Sequence, residues 1–313
     1  MIHGQARTGS DREKVDIDGA TVGSVSGANG GAFRRLRARL GILDLHERID
    51  NLERELQAQH ERDDELARIQ SVWATTEWIA HAAPTSQTLI SIVLATRDRC
   101  HLLPSAIESV LAQQHQRWEL VVVDDGSTDG TGEYLASLTD PRIRTVTAHE
   151  RGLTAARNAA LDAVAGSIVA YLDDDNRMAP QWLRGIAWAF DRDEALELLY
   201  GAVIVEDLDD VAGRGPGGLP GALFVPYTRA RVLESPMTDV AVLAHRADLD
   251  GARFDERFPI LGDWDLFIRL TEHRTPLAFP VLASLYATST PGRQMTRPEA
   301  ELERAAILAE HGR

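Results

Sequence analysis

VAYLDDDN, residues 169–176, runs an apolar stretch directly into three carboxylates. Like charges held this close repel, so either the acids open a turn in water or a positive charge sits among them. The apolar half reads as a buried strand: it is short, and Val and Tyr suit a pleated backbone. The same pattern recurs upstream. ISIVLAT (90–96) leads into Arg97, Asp98 and Arg99, and ELVVVDD (119–125) leads into Gly126 and Ser127. IRTVTA (143–148) makes a third strand and SIVAYLD (167–173) a fourth. Between them lie 102–114, with Leu103, Ile107, Val110 and Leu111 on one helical face, then 129–138, then 154–164 opened by Thr154 as a candidate cap. A further helix carries Trp182, Ile186 and Ala189 on one face. This alternation predicts an α/β fold, a parallel sheet covered on both sides, with ligands bound beyond the carboxyl ends of the strands. The polar clusters collect at that one edge, which points to a single composite site.

Bulk properties narrow the function. The chain has 313 residues, 44% hydrophobic and 26% charged, as soluble globular proteins do. Its net charge of −15 argues against a nucleic-acid partner, which would leave a basic face. One cysteine, Cys100, excludes an internal disulfide framework and suits a reducing compartment. No apolar run reaches the ~20 residues of a membrane span, and the polar N-terminus lacks a signal-peptide core. A cytoplasmic location is expected, with peripheral contact at the inner membrane face left open.

Four regions are expected. Residues 1–30 read as a disordered tail, 31–83 as a helical extension, 84–298 as the α/β domain and 299–313 as a C-terminal helix. Within the extension, Leu45, Ile49, Leu52 and Leu56 recur at steps of four and three. Leu66 and Trp73 keep the phase, while Gln59, Asp63 and Gln70 interrupt it. Three readings fit this short heptad: a helix packed on its own domain, a coiled coil making a homodimer through residues 33–83, or a partner or membrane-surface helix.

Of the three acids, Asp173 and Asp175 fall on one face of an extended chain and Asp174 on the other. Two carboxylates on one face make a hard-oxygen site for Mg²⁺ or Mn²⁺ whose open positions substrate phosphates fill. A capped turn before the next helix is the competing reading. In VVVDDGSTDGTG (121–132) the glycines do not make a dinucleotide fingerprint, and no P-loop occurs anywhere. Its acids could accept from a base or ribose, or simply solvate a turn. ERGLTAARN (150–158) brings Arg151 and Arg157, either of which could reach a pyrophosphate or form a surface ion pair. In FDERFPILGDWDLFIRL (254–270), Asp263, Trp264 and Asp265 open a helix, and an aromatic between two acids suits a sugar site as well as a helix cap. Neither a zinc motif nor a G-x-S-x-G elbow is present.

Taken in order, these clusters resemble the family 2 glycosyltransferases of GT-A fold, over roughly residues 88–297. AIESVLAQQHQRWELVVVDDGSTDGT follows the family pattern nearly throughout, RGLTAARNAAL resembles the segment ending Ala-Arg-Asn, AYLDDDN resembles the D-x-D, and GDWDLFIRL resembles the later motif that supplies the base. Arg97 and Asp98 replace a common Tyr-Asn pair, and Gly262 replaces a common Glu. The resemblance implies an inverting, metal-dependent transfer of sugar from a nucleoside-diphosphate sugar to a glycan, lipid-linked or small-molecule acceptor. It assigns Thr96, Arg97, Asp124, Asp125, Arg157, Asp173 and Asp174 to the donor, Asp173 and Asp175 to Mn²⁺ or Mg²⁺, and Asp263 to the base. Trp264 and Asp265 would shape the acceptor side. The family's further metal contact is often a His after a Tyr, and YATSTPGRQMTR (286–297) has none. The alternatives are a non-catalytic nucleotide-sugar-binding scaffold of the same fold, and a nucleotidyltransferase, which would need a glycine-rich basic loop that ISIVLATRDR lacks.

Overall fold

The computed structural model describes residues 42–148, 152–205, 222–236, 240–286 and 298–312. The expected N-terminal tail, Arg151, the glycine-rich loop 213–221 and the segment 287–297 lie outside them. Four strands carry the first half: β1 (Ile90–Thr96), β2 (Trp118–Asp124), β3 (Ile143–Thr147) and β4 (Ile168–Tyr171). They pair in parallel in the order β3-β2-β1-β4. Between them run α2 (Leu103–Leu111), α3 (Thr131–Ser137) and α4 (Leu153–Leu161), with α4 lying against β1 and β2. Every residue of β1 is buried, which is what a strand covered on both faces requires. Each fully buried Ile or Leu there contributes about 1.5–3 kcal/mol.

The second half is mixed. β5 (Asn176–Met178), α5 (Trp182–Arg192), β6 (Leu198–Val205), β7 (Ala222–Leu223), α6 (Arg229–Glu234), β8 (Leu243–Arg246), α7 (Gly262–Leu270), β9 (Leu277–Tyr286) and α8 (Pro298–His311) follow in order. The sheet continues from β4 through β8, β6 and β9 to β5, with β8 antiparallel to both β4 and β6. β6 and β9 run parallel but slip register around Gly201. A Cβ at Gly201 would lie 2.8 Å from the Trp182 ring, so glycine is required for α5 to close on the sheet. Pro280 sits in the matching irregular stretch of β9, where no ladder donor is needed.

One helix, α1 (Ile42–His81), precedes the sheet. The chain divides into two compact units, Met1–Asp63 and Asp64–Arg313. In the second, the last turns of α1 are built into the core. Val72 and Ile79 are fully buried, Thr76 Oγ1 accepts from Leu282 N at 2.9 Å, and Trp78 meets Trp188 edge-on at 5.1 Å. In the first, the described part is the N-terminal half of α1, with Leu45, Ile49, Leu52 and Leu56 exposed. Among the described residues no helix is long and apolar enough to cross a membrane.

Candidate functional site

The carboxyl ends of β1, β2 and β4 are tied together by their own loops. Beyond β1 the chain turns through Asp98, at φ +51°. Asp98 accepts from Thr128 N at 2.7 Å, while its own N–H donates to Ser127 Oγ at 2.9 Å. Cys100 N donates to Asp129 at 2.8 Å. The β1–α2 loop is thereby clamped onto the β2–α3 loop. Asp124 accepts from Ser127 N and tightens the same turn. Asp125, buried, accepts from Gly152 N at 2.8 Å and so anchors the start of α4.

The three acids lie in the turn between β4 and β5, where Asn176 N donates to Asp173 O at 3.1 Å, so the expected strand alternation does not set their faces. Asp174 is buried, accepting from Thr96 Oγ1 at 2.8 Å and from Arg99 at 2.6 Å. Asp173 and Asp175 stay partly exposed, and burial first, with the charge of Asp173 second, raises the Asp175 pKa. Arg99 also reaches Asp175 at 3.1 Å, and Arg157, buried on α4, donates to Asp173 at 2.5 Å. The neighbouring Asn158 exchanges two hydrogen bonds of 2.9 Å with the backbone of Phe254, fixing the chain ahead of α7. Asp263, at the start of α7, belongs to this charge cluster: burial pushes its carboxyl up to about 6, with Arg157 opposing and Asp173 adding to the rise. Burial likewise pushes Asp174 up to about 6 against the pull of Arg99 and Thr96.

The charge count is informative. Four carboxylates (Asp173, Asp174, Asp175, Asp263) stand against two guanidiniums (Arg99, Arg157), so these six groups carry a formal surplus of 4 − 2 = 2 negative charges. Among the described residues no group of three or more His, Cys, Asp or Glu forms a ready-made metal cage. The Asp173 and Asp175 carboxylates could offer only two oxygen-bearing side chains, an incomplete set. That fits a hard dication which takes its remaining ligands from phosphate and water. Asn176, next in the chain, keeps both side-chain amide atoms buried without a partner. Such a group costs about 1–3 kcal/mol, which a bound ligand or water would recover.

Gly262 explains its own departure from the usual Glu. A Cβ there would lie 2.4 Å from Thr154 Cγ2, closer than any real contact, so α7 can pack on α4 only with glycine at this position. Gly262→Ala is expected to cost about 1–3 kcal/mol and to displace Asp263. Adding Thr154→Ser, which removes the offending methyl, should restore most of the loss in a urea titration. If the single variant unfolds at the wild-type midpoint, the packing argument fails.

Several expected residues hold other positions. Arg97 is exposed and lies 3.7 Å from Asp98, whereas Arg99, unassigned by the sequence reading, stands between two of the acids. Trp264 and Asp265, expected on the acceptor side, are both buried in packing contacts. The Trp264 indole donates to Val232 O at 2.7 Å, and Asp265 pairs with Arg269 at 2.8 Å and His311 at 2.9 Å. Both therefore hold α7 in place, α8 included: Glu303 of α8 also accepts from Ile260 N and Leu261 N, just ahead of Asp263. Asn158 and Arg99 are the two site residues that the sequence reading missed.

With this geometry in place, known proteins give a consistent match. Residues 91–213 fit the sequence profile of glycosyl transferase family 2, and they contain every cluster above except α7. Over that segment the chain is similar to the family 2 glycosyltransferases. The succinoglycan biosynthesis protein ExoO of Rhizobium meliloti is 35% identical over 124 residues, 39% of this chain and 34% of that protein. The Escherichia coli UDP-Glc:alpha-D-GlcNAc-diphosphoundecaprenol beta-1,3-glucosyltransferase WfgD is 37% identical over 89 residues, 28% of this chain and 35% of that one. The chain thus spans about a third of the length of these curated relatives. The crystal structure of S. aureus TarS 1–349 with UDP-GlcNAc superposes at a TM-score of 0.54 and 19% identity, covering 71% of this chain and 66% of that one. At that identity the likeness establishes the fold, which is GT-A.

Proposed function

We propose that the protein moves a sugar from a nucleoside-diphosphate sugar to an acceptor hydroxyl with inversion, using a divalent cation and Asp263 as the base. The observation that carries this reading is the two-charge surplus of the acidic cluster, placed where parallel strands end and beside a carboxyl whose pKa is about 6. Asp173 and Asp175 would hold Mn²⁺ or Mg²⁺, which supplies positive charge to the departing diphosphate. Asp174, buried under Thr96 and Arg99, positions that pair and does not bind the cation itself. Asp125 and Asp124 line the donor side with Arg157.

The bonds balance in one displacement. The acceptor oxygen forms a bond to the anomeric carbon as the bond to the diphosphate oxygen breaks, and Asp263 takes the acceptor's proton. A single base on the face opposite the leaving group gives inversion. At neutral pH a carboxyl with a pKa near 6 is ionised yet more basic than an ordinary aspartate, which suits this work.

ExoO and WfgD are named for polysaccharide and lipid-linked sugar chemistry, which supports a glycan or lipid-linked acceptor here. An acceptor of the second kind would bring the protein to a membrane surface. The first test is a thermal-shift panel of nucleotide sugars with and without Mn²⁺. Saturation at about 100 times Kd adds about 2.7 kcal/mol, or roughly 5–10 °C for a domain of this size. If every nucleotide sugar leaves Tm unmoved in both conditions, the donor assignment fails.

A further inference from the structure

We infer that the protein self-associates through the N-terminal half of α1, as a parallel two-stranded coiled coil with a second copy of the chain. This is independent of the donor chemistry. On the described half-helix the stripe faces outward: Leu45, Ile49, Leu52 and Leu56 are 56, 44, 63 and 54% exposed. These are large apolar side chains on one line of a continuous helix, where isolated exposure would be unremarkable but alignment is not.

The heptad assigns the partner. With Ile49 and Leu56 at a positions and Leu45 and Leu52 at d, the first heptad sets β-branched Ile49 at a against leucine at d, the combination that favours two parallel strands, and Leu56 extends the apolar seam. In that register each g position faces the e position five residues later on the partner helix. Arg48 then faces Glu53, and Glu55 faces His60, each pair occurring twice by symmetry. All four side chains are exposed and available for it. The Arg48 and Glu53 charges flanking the seam are thus complementary to themselves, which an unrelated protein partner would not require. A lipid surface would favour a uniformly basic border, whereas Glu53 and Glu55 flank the stripe closely. The apolar seam stops at Gln59 and Asp63, the residue at which the first compact unit ends.

The test is the mass of the full-length chain by sedimentation and light scattering across a concentration series. Twice the chain mass is expected, falling to the chain mass for Ile49→Asp/Leu52→Asp. That double variant should keep the wild-type melting temperature, which reports the second unit and excludes unfolding. Arg48→Glu should weaken the dimer on the order of tenfold, and Arg48→Glu/Glu53→Arg should regain it. In a Cys100→Ser background, Leu52→Cys should form an interchain disulfide on mild oxidation, as only a parallel, in-register pair brings two d positions together. The inference is overturned by a monomer at every concentration, by a dimer that survives Ile49→Asp/Leu52→Asp, or by a monomer that sediments with anionic vesicles through the same stripe.

Discussion

Asp263→Asn is expected to lower the transfer rate by about 10³-fold or more, leave donor affinity unchanged and make the folded protein more stable at pH 7. The first effect follows from losing the proton acceptor while the amide keeps the side chain's shape and its bond from Trp264 N at 2.8 Å. The third follows from linkage. The folded Asp263 has a pKa of about 6 against a model value of 3.8, because burial disfavours its charge. Between those values the native state holds a proton that the unfolded chain has lost, so stability falls as pH rises from about 4 to 6. At pH 7 the full penalty is present, up to about 3 kcal/mol at 1.36 kcal/mol per unit, and asparagine removes it. The stability gain should therefore shrink toward zero as pH is lowered to 4. Equal melting temperatures for wild type and variant at pH 7 would contradict the burial assignment. Retained turnover would place the base elsewhere.

Asp175→Asn carries the second large effect. It removes one negative charge and one oxygen donor but leaves Arg99 bound to Asp174, so the strand end should keep its form. Mn²⁺-dependent affinity for a nucleoside diphosphate should fall by about 100-fold or more, while the weaker binding seen in chelator stays as in wild type. Loss of a metal ligand must cost at least what loss of an outer-shell partner does, about 10–100-fold. Calorimetry with and without EDTA reads both numbers. An equal loss in the two conditions would mean that Asp175 touches the nucleotide or the fold and not the cation.

How much of this was legible in the sequence depends on what each residue's neighbours do. The four parallel strands appear within a few residues of where alternating polar and apolar runs put them, because buried strands carry dense β-branched residues. β6 and β9 escaped notice for a physical reason. Gly201 and Pro280 break their patterns, and both exist to let the Trp182 ring and a register slip into the sheet. Arg97 and Arg99 could not be separated by composition, since the left-handed turn at Asp98 intervenes between strand and loop. Trp264 and Asp265 were readable. With Phe267 and Ile268 they form the buried face of a helix, and Asp265 has Arg269 one turn on.

The acidic cluster closes the question posed by VAYLDDDN. Its repulsion is met partly by Arg99 and Arg157, and a dication brought with the donor would meet the remaining two charges. A crystal grown with Mn²⁺ and a nucleoside diphosphate, with data collected at the manganese edge, tests this most directly. An anomalous peak bonded to oxygens of both Asp173 and Asp175 is the predicted result. Bound nucleotide with no peak at that pair, or a peak ligated by other residues, would contradict it.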